Sequence, residues 1–309
     1  MRVASIGECM VEFSQHRDGL FARGFGGDTL NTALYLSRLG VATSYVTALG
    51  DDGLSEAMLA SWRGEGIATD EVMRVSGRLP GLYMIERDAR GERSFLYWRD
   101  RAPAREFFDR ADDAALERLA RFDWLYFSGI SLSLYGDSGR MRLRELLAVA
   151  RRNGGKIAFD GNYRPRGWHD SATARRAFAD ILPLVDLALP TLEDEQALFA
   201  DADARTCIAR LRDAGIGEIV VKRGGLGCLI FAEGDCAEVS PPKVVQPVDT
   251  TAAGDSFNAA YIAARLRGAP AVVAARAGHR LAGAVIMSPG AVIPREAMPE
   301  GIIEMGAAS

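Results

Sequence analysis

Short apolar runs alternate with stretches of helical periodicity along most of the chain. Each apolar run has the length of a buried strand and lies near a turn-forming residue. The predicted strands are VASIG (3–7), TSYVTAL (43–49), WLYFSGI (124–130), KIAFD (156–160), LALP (187–190) and EIVVK (218–222). Between them, helical periodicity predicts helices at 29–40, 136–152, 171–183, 193–200 and 204–214. Regular alternation of strand and helix is typical of an α/β fold with a mostly parallel, Rossmann-type sheet flanked by helices.

Residues 79–99 break this alternation. In LPGLYMIERDARGERSFLYWR, apolar and polar residues alternate on both sides of Asp88-Ala89-Arg90-Gly91, which predicts an antiparallel hairpin. Such a hairpin does not fit inside a parallel sheet. We therefore expect one domain over 1–309 with a small β-sheet lid, formed by insertions at about 9–22 and 72–101.

Composition and charge narrow the classes of function. The chain has 309 residues, 48% hydrophobic and 25% charged, as globular domains do. With a net charge of −4, it lacks the positive field of a nucleic-acid binder. No apolar stretch reaches the roughly 20 residues of a membrane span, and Glu8 and Glu12 interrupt the N-terminal one, so we expect no membrane contact and a cytoplasmic location. Four cysteines without CxxC spacing and three scattered histidines do not indicate a zinc site.

The segment DTTAAGDSF (249–257) carries the strongest chemical signal. Apolar residues after it predict a helix that ends at Gly268, so Asp255 lies at a helix N-terminus. Ala252, Ala253 and Gly254 leave their backbone amides uncovered, and such amides favour an anion. An aspartate here could simply cap the helix. An amide cradle beside a carboxylate is, however, what acyl or phosphoryl transfer to a hydroxyl requires.

Two further glycine-rich segments are weaker signals. In GFGGDTLNTAL (24–34), the glycines would let a ligand approach and Asp28 and Asn31 could bind a polyol, although a turn and helix cap would use the same residues. VVKRGGLGC (220–228) suits the phosphates or ribose of a nucleotide, with Lys222 adding charge, and suits a turn between strands equally well. Neither GxxxxGK[ST] nor a GxGxxG after a strand occurs.

Together these segments resemble the PfkB/ribokinase carbohydrate kinases. DTTAAGDSF is similar to the C-terminal signature of that family and GGDTLNTA to its N-terminal signature, and the resemblance extends from Met1 to about Pro299. Within the family, RLPGLYMIE, FDGNYRPR and VVKRG are most similar to the branch that phosphorylates 2-keto-3-deoxygluconate.

The resemblance implies a ribokinase-like fold and transfer of a phosphoryl group from ATP, with Mg²⁺, to 2-keto-3-deoxygluconate, giving 2-keto-3-deoxy-6-phosphogluconate. A fructokinase, or another kinase of a neutral ketose or ribose, is the alternative within the family. A non-catalytic sugar-binding protein is a more distant one. The resemblance leaves activation by a monovalent cation such as K⁺ open, and an unpaired lid edge favours a homodimer or larger homo-oligomer through the lid.

Carried over by position, the resemblance implies that Asp255 is the catalytic base and that Ala252, Ala253 and Gly254 form the anion hole. The sugar acid would contact Gly27, Asp28, Asn31, Tyr83, Tyr97, Arg99, Arg164 and Asp255. The nucleotide would contact Asn162, Arg164, Lys222, Arg223, Gly224, Gly227, Ala252, Gly254, His279 and Ala282.

One observation supports this assignment of residues, and another limits it. Planar guanidinium groups pair well with a carboxylate, which independently favours Arg99 and Arg164 as partners of a sugar acid. The family's NxxE segment is replaced by Thr191-Leu192-Glu193-Asp194. Asp194 could still hold a hydrated cation through water, but without the asparagine the protein contacts of the metal stay open.

Overall fold

The computed structural model describes residues 1–15, 19–87, 93–243 and 245–303. Its strands form two sheets, and the order in the large sheet is β13-β12-β11-β10-β9-β8-β1-β4-β5. The strands of the large sheet are β1 (Arg2–Ile6), β4 (Ala42–Leu49), β5 (Val72–Arg74), β8 (Trp124–Ser128), β9 (Lys156–Asp160), β10 (Leu187–Ala188), β11 (Glu218–Lys222), β12 (Cys228–Ala232) and β13 (Asp235–Val239). Those of the small sheet are β2 (Met10–Gln15), β3 (Phe21–Gly26), β6 (Leu82–Arg87) and β7 (Arg93–Trp98).

Helices cover both faces of the large sheet. They are α1 (Asp28–Arg38), α2 (Gly53–Gly64), α3 (Phe107–Arg110), α4 (Asp113–Leu119), α5 (Gly129–Leu134), α6 (Asp137–Arg152), α7 (Ser171–Ile181), α8 (Leu192–Phe199), α9 (Ala204–Asp213), α10 (Ala253–Leu266) and α11 (Ala271–Val285). Across the described ranges, no helix has the length and apolar character needed to cross a membrane.

The predicted fold class is confirmed. In the large sheet, neighbouring strands pair in parallel from β5 through β4, β1, β8, β9 and β10 to β11. Strands β12 and β13 add an antiparallel edge. Both faces of the sheet are buried: Val220 contributes to one hydrophobic cluster, and its neighbours Ile219 and Val221 contribute to the other. This explains why the strands appear in the sequence as continuous apolar runs.

Two predicted strands are too long by two residues, because LALP (187–190) stops at Ala188 and WLYFSGI stops at Ser128. WLYFSGI was expected to remain extended to residue 130, but α5 begins at Gly129. The hydroxyl of Ser128 accepts a hydrogen bond from the amide of Ser131 at 3.3 Å and so caps the helix.

The small sheet contains the predicted hairpin. Strands β6 and β7 pair antiparallel, β2 pairs in parallel with β6, and β3 forms the other edge. The predicted turn residues 88–91 lie outside the described part of the chain. Two of the expected bounds differ, because β3 extends to Gly26 and because Val72–Arg74 pairs with β4 of the large sheet.

Candidate active site

The N-terminal turns of α1 and α10 meet at Asp255. This aspartate is the third residue of α10 and is 9% exposed. Its Oδ2 accepts a hydrogen bond from Nδ2 of Asn31, in the first turn of α1, at 2.8 Å. No side chain of the described residues caps α10, so the structure does not support a capping role for Asp255.

The backbone before Asp255 forms part of the predicted amide cradle. Ala252 has a left-handed conformation (φ 60°), which is unfavourable for alanine and typical of functional sites. The amide of Ala253, one of the predicted donors to the anion, donates instead to the backbone carbonyl of Thr250 at 3.2 Å. The amides of Gly254 and Asp255 have no acceptor among the described residues. These first-turn donors are the ones available to an anion.

Burial and neighbouring acids dominate the electrostatics. Burial raises the pKa of Asp255 well above its usual range, and the nearby carboxylate of Asp28 raises it further. Burial also raises the pKa of Asp28, although the amide of Asn162 donates to its Oδ2 at 2.7 Å and opposes the shift. Raised carboxyl pKa values are typical of general bases that act near neutral pH.

Asn162 lies between the end of β9 and the start of α1. It follows β9 with a left-handed backbone (φ 31°), and its amide N–H donates to Oδ1 of Asp160 at 3.2 Å. Its side chain contacts Asp28, at the start of α1, and its predicted contact with the nucleotide stays a prediction. The segment FDGNYR thus connects the large sheet to the helix that carries Asn31.

Lys222, at the end of β11, is buried beside Gly254. Its Nζ lies 2.8 Å from Oδ2 of Asp160 and 3.0 Å from Oδ1 of Asn258. A methyl group on Gly254 would lie 3.4 Å from this nitrogen. Neither Asp160 nor Asn258 was predicted as a site residue, because only the folded chain brings them to Lys222.

Residues 223–227 form the turn between β11 and β12. The amide of Arg223 donates to the carbonyl of Gly227 at 2.8 Å, and its guanidinium pairs with Glu238 at 2.5 Å. Gly227 has φ 87°, and a methyl group there would lie 2.2 Å from the carbonyl oxygen of Val239. The turn alternative therefore accounts for Gly227. A nucleotide contact by Gly224 would come from the short 3₁₀ turn that it begins.

His279 and Ala282, expected near the adenine, lie on α11. Nε2 of His279 is 3.1 Å from the carbonyl oxygen of Val239, and its ring contacts Phe257 edge-on with centroids 5.0 Å apart. Burial lowers the pKa of His279. Its imidazole is therefore neutral at pH 7, which suits a site for an uncharged base.

The small sheet places Tyr83 and Tyr97 opposite each other. Their ring centroids are 5.9 Å apart, and Tyr97 is half exposed. The hydroxyl of Tyr83 donates to the carboxylate of Glu12. The predicted sugar contacts Tyr83 and Tyr97 thus share one face of the sheet, together with an acid that the sequence analysis did not select.

Arg99 also has an acidic partner that the sequence analysis missed. Its guanidinium pairs with Glu8, whose side chain is almost completely buried after β1. Burial raises the pKa of Glu8, while the charge of Arg99 lowers it. Gly27 lies next to this pair, because a methyl group on it would be 2.3 Å from the carbonyl oxygen of Glu8. A side chain at position 27 would therefore displace α1 from β1.

Arg164 pairs with Asp194, the residue expected near the metal. Nη1 of Arg164 lies 3.0 and 3.1 Å from the two carboxylate oxygens, and the arginine side chain is half exposed. Burial raises the pKa of Asp194, and the carboxylate of Asp160 contributes to the increase. Arg99 and Arg164 thus have separate acidic partners in this structure.

A second acidic cluster has the composition of a metal site but already contains a cation. Ligand atoms of Glu195, Asp201 and Cys207 lie within 4.8 Å of one another. Nη2 of Arg210 contacts Glu195 at 2.6 Å and Asp201 at 2.7 Å. The guanidinium therefore occupies the place that a metal cation would take between the two carboxylates, and we assign the cluster a role in packing α8 against α9.

Comparison with known proteins agrees with this arrangement. A family model described as pfkB family carbohydrate kinase matches residues 1–298. The chain therefore belongs to the pfkB family of carbohydrate kinases.

Among the similar proteins, two are 2-dehydro-3-deoxygluconokinases and one is a fructokinase. A 2-dehydro-3-deoxygluconokinase from Dickeya dadantii (strain 3937) is 47% identical over 306 residues, covering 96% of this chain and 98% of the relative. A 2-dehydro-3-deoxygluconokinase from Escherichia coli (strain K12) is 47% identical over 307 residues, covering 96% and 99%. Fructokinase-1 from Zea mays is 28% identical over 268 residues, covering 84% and 81%.

The fold is the ribokinase-like α/β fold of these kinases. A solved structure of a PfkB protein from Polaromonas sp. JS666 superposes with a TM-score of 0.83 at 23% identity, covering 93% of this chain and 96% of the other. A fructokinase with bound ATP from Xylella fastidiosa also has a TM-score of 0.83 at 23% identity, with 96% and 95% covered.

Proposed function

We propose that this kinase transfers the γ-phosphoryl group of ATP to the primary hydroxyl of 2-keto-3-deoxygluconate, the sugar acid also called 2-dehydro-3-deoxygluconate. The observation that carries the proposal is the placement of Asp255. It is buried, hydrogen-bonded to Asn31, and next to the backbone amide of Gly254, which has no acceptor among the described residues. The 47% identity to 2-dehydro-3-deoxygluconokinases over almost the whole chain supports the choice of substrate.

The chemical step is an in-line displacement. The hydroxyl oxygen of the sugar acid forms a bond to the γ-phosphorus, the bond to the β,γ-bridging oxygen breaks, and ADP leaves with that oxygen. Asp255 takes the hydroxyl proton, while the amides of Gly254 and Asp255 stabilise charge on the transferred group. Because the transition state is loose, positioning supplies most of the rate enhancement.

Magnesium fits the acidic groups near the transferred phosphoryl. Mg²⁺ keeps several of its waters and binds through one or two carboxylates together with phosphate oxygens. Asp194 is half-buried, and the negative charge of Asp160 repels its carboxylate. A hydrated cation would reduce this repulsion. When bound, Mg²⁺ supplies positive charge to the phosphates of ATP. Activation by K⁺ is supported by the family resemblance alone. Comparing turnover in a K⁺ buffer with turnover in a buffer of an organic cation tests it.

Three residues in the small sheet or directly after it favour a sugar acid over a neutral ketose. Arg99 offers a guanidinium for the carboxylate, and Tyr83 and Tyr97 offer hydroxyls and ring faces. A neutral sugar has no charge that requires Arg99. Sugar hydroxyls would be bound in either case by Gly27, Asp28 and Asn31. These residues offer a backbone amide, a carboxylate and a side-chain amide.

We further propose that the chain forms a homodimer, or a larger homo-oligomer, through the small sheet. Strands β3 and β7 are its edges, and β7 carries the exposed side chains of Phe95, Leu96, Tyr97 and Trp98. Unpaired strand edges and exposed apolar patches favour association. The small sheet would then close over the sugar acid as a lid and exclude water from the reaction.

A coupled assay of ADP release with ATP and a panel of sugar acids and ketoses tests the proposed function. We expect kcat/KM for 2-keto-3-deoxygluconate to exceed that for fructose by at least about 10³-fold, because a buried receptor for a charged group rejects a ligand that lacks the charge. Equal use of fructose would favour the neutral-ketose alternative. Sugar binding without ADP release would favour a non-catalytic sugar-binding protein.

A further inference from the structure

A buried ion pair joins the carboxyl ends of β9 and β11 beside the amide cradle. It consists of Asp160 and Lys222, with Nζ 2.8 Å from Oδ2, and Asn258 accepts a second hydrogen bond from Nζ at 3.0 Å. All three residues are less than a tenth exposed. A lysine ammonium has three N–H donors, so two are used here and one remains.

The remaining donor has space beside Gly254. A methyl group at this position would lie 3.4 Å from Nζ, and no other described atom outside the neighbouring backbone lies within 4 Å of it. The Gly254 amide has no acceptor among the described residues. The ammonium and the amide cradle therefore border the same space.

Negative charge surrounds this space. Asp28 and Asp160 raise the pKa of Asp255, and Asp160 also raises that of Asp194. A terminal phosphate that enters here meets several carboxylates and needs a nearby positive charge to offset their repulsion. Lys222 is a cation that interacts electrostatically with both Asp194 and Asp255.

Asn258 connects the ion pair to the catalytic base. Its Nδ2 donates to Asp160 at 2.6 Å and to the hydroxyl of Tyr126 at 3.1 Å. The hydroxyl of Thr32 lies 3.2 Å both from the Tyr126 hydroxyl and from the backbone carbonyl of Asp255. One hydrogen-bond network thus sets the positions of Lys222 and Asp255 relative to each other.

We infer that Asp160 and Asn258 are positioning residues that hold Lys222 so that its third N–H faces the terminal phosphate of ATP in the amide cradle. A buried lysine without a charged partner would lose its proton or leave the site, and Asp160 prevents this. Asn258 limits the directions that the remaining N–H can take. This inference rests on the proposed function for the phosphoryl donor but is independent of the sugar.

The test compares ATP and ADP binding, measured by calorimetry with Mg²⁺, for the wild type, Asp160→Asn and Asn258→Ala. ADP lacks the terminal phosphate, so a positioning role for this phosphate predicts selective loss of ATP affinity. We expect Asp160→Asn to weaken ATP binding by about 10- to 100-fold, the effect of one hydrogen bond to a charged group, and to change ADP binding by less than about threefold. Asn258→Ala should have the same selectivity and a smaller effect.

Glu218→Gln is a matched control. Glu218 begins the same strand as Lys222 and pairs with Arg265 of α10 at 2.9 Å, so it joins the same two elements away from the cradle. We expect this variant to lose stability but to retain the ATP preference. Lys222→Met removes the ammonium while filling its volume, and Asp160→Asn in that background should cause no further loss of ATP affinity.

The outcomes separate this inference from the proposed function. Equal weakening of ATP and ADP, or an equal change in Glu218→Gln, would overturn the inference, because the network would then only fasten β9 and β11 to α10. If the wild type released no ADP with any sugar acid, yet Asp160→Asn still lost ATP selectively, the inference would stand and the proposed substrate would fail. If Asp160→Asn bound ATP like an active wild type, the inference alone would fail.

Discussion

Nδ2 of Asn31 lies 2.8 Å from Oδ2 of Asp255, although 224 residues separate the two in the sequence. This contact brings the glycine-rich start of α1 together with the small-residue start of α10. Each segment alone is compatible with an ordinary helix terminus. Together they place the side-chain amide of Asn31, a buried carboxylate and backbone amides at one edge of the large sheet.

Asp255→Asn should remove the proton acceptor without changing the shape of the site. We expect kcat to fall by about 10²–10⁴-fold, the usual contribution of general base catalysis, while the KM values for both substrates change little. The coupled ADP-release assay measures both parameters. A variant within tenfold of the wild-type kcat would remove Asp255 from its proposed role.

The same substitution should stabilise the protein near neutral pH. Because burial raises the pKa of Asp255 above its ordinary value of 3.8, the native state holds this proton more tightly than the unfolded state does. Stability from this group is fully present below pH 3.8 and is lost as the pH rises through the native pKa. Asp255→Asn should therefore increase the free energy of unfolding at pH 7 by on the order of 1 kcal/mol or more, and the gain should shrink on acidification. Urea unfolding at pH 7 and pH 4 measures this difference, and a variant less stable than wild type at pH 7 would contradict it.

Gly254→Ala should separate stability from nucleotide binding. Alanine is favoured over glycine inside a helix by about 0.5–1 kcal/mol, so the melting temperature should be unchanged or higher. The new methyl group would occupy the space next to Nζ of Lys222, and we expect ATP affinity to fall by at least about tenfold from the loss of one charged contact. Gly64→Ala in α2 is the control, because a methyl group there meets no described atom within 4 Å beyond its chain neighbours and its own helix, and α2 carries none of the predicted nucleotide contacts. Similar ATP affinities in the two variants would argue against a phosphate next to Gly254.

Arg99→Ala should impair use of the sugar acid selectively. Loss of a guanidinium–carboxylate contact should raise the KM for 2-keto-3-deoxygluconate by about 10- to 100-fold and leave the KM for ATP unchanged. Residual activity with fructose should not fall. Arg101→Ala, an exposed arginine two residues away, serves as the control and should resemble the wild type. An equal loss with acid and ketose would mean that Arg99 mainly holds the buried carboxylate of Glu8.

Association through β7 makes a prediction about mass in solution. Light scattering during gel filtration should give twice the chain mass of 33.3 kDa or a larger multiple. Trp98→Asp introduces a charge on the exposed edge strand, where Trp98 is 56% exposed, and should lower the mass to that of one chain. Met141→Asp on α6, where Met141 is 57% exposed, should not. A wild-type monomer would exclude the dimer.

The large sheet was the part of the fold most open to prediction from sequence. Strands buried on both faces appear as apolar runs, so β1, β4, β8, β9, β10 and β11 were located within two residues of their ends. The edge strand β13 was not predicted, because most of Asp235–Val239 is exposed and contains no apolar run. Strand β5 has three residues, too few for a period to appear.

The candidate site was predictable where a segment carries its own signal. Glycines and an aspartate at a helix start are local features, so Asp28, Asn31 and Asp255 could be selected from the sequence. The pairs Glu8–Arg99 and Asp160–Lys222 could not, because no local spacing determines which distant charges meet. Lys222 and Asp160 are 62 residues apart and become neighbours only because parallel strands end at the same edge of the sheet.

ADP release from ATP in the presence of 2-keto-3-deoxygluconate, compared between the wild type and Asp255→Asn, tests the central claim most directly. We predict rapid, sugar-dependent release by the wild type and a loss of about 10²-fold or more in the variant, which should still bind ATP and the sugar acid. Sugar-dependent ADP release that survives the substitution would contradict the claim that Asp255 and the adjacent amides form the site of phosphoryl transfer.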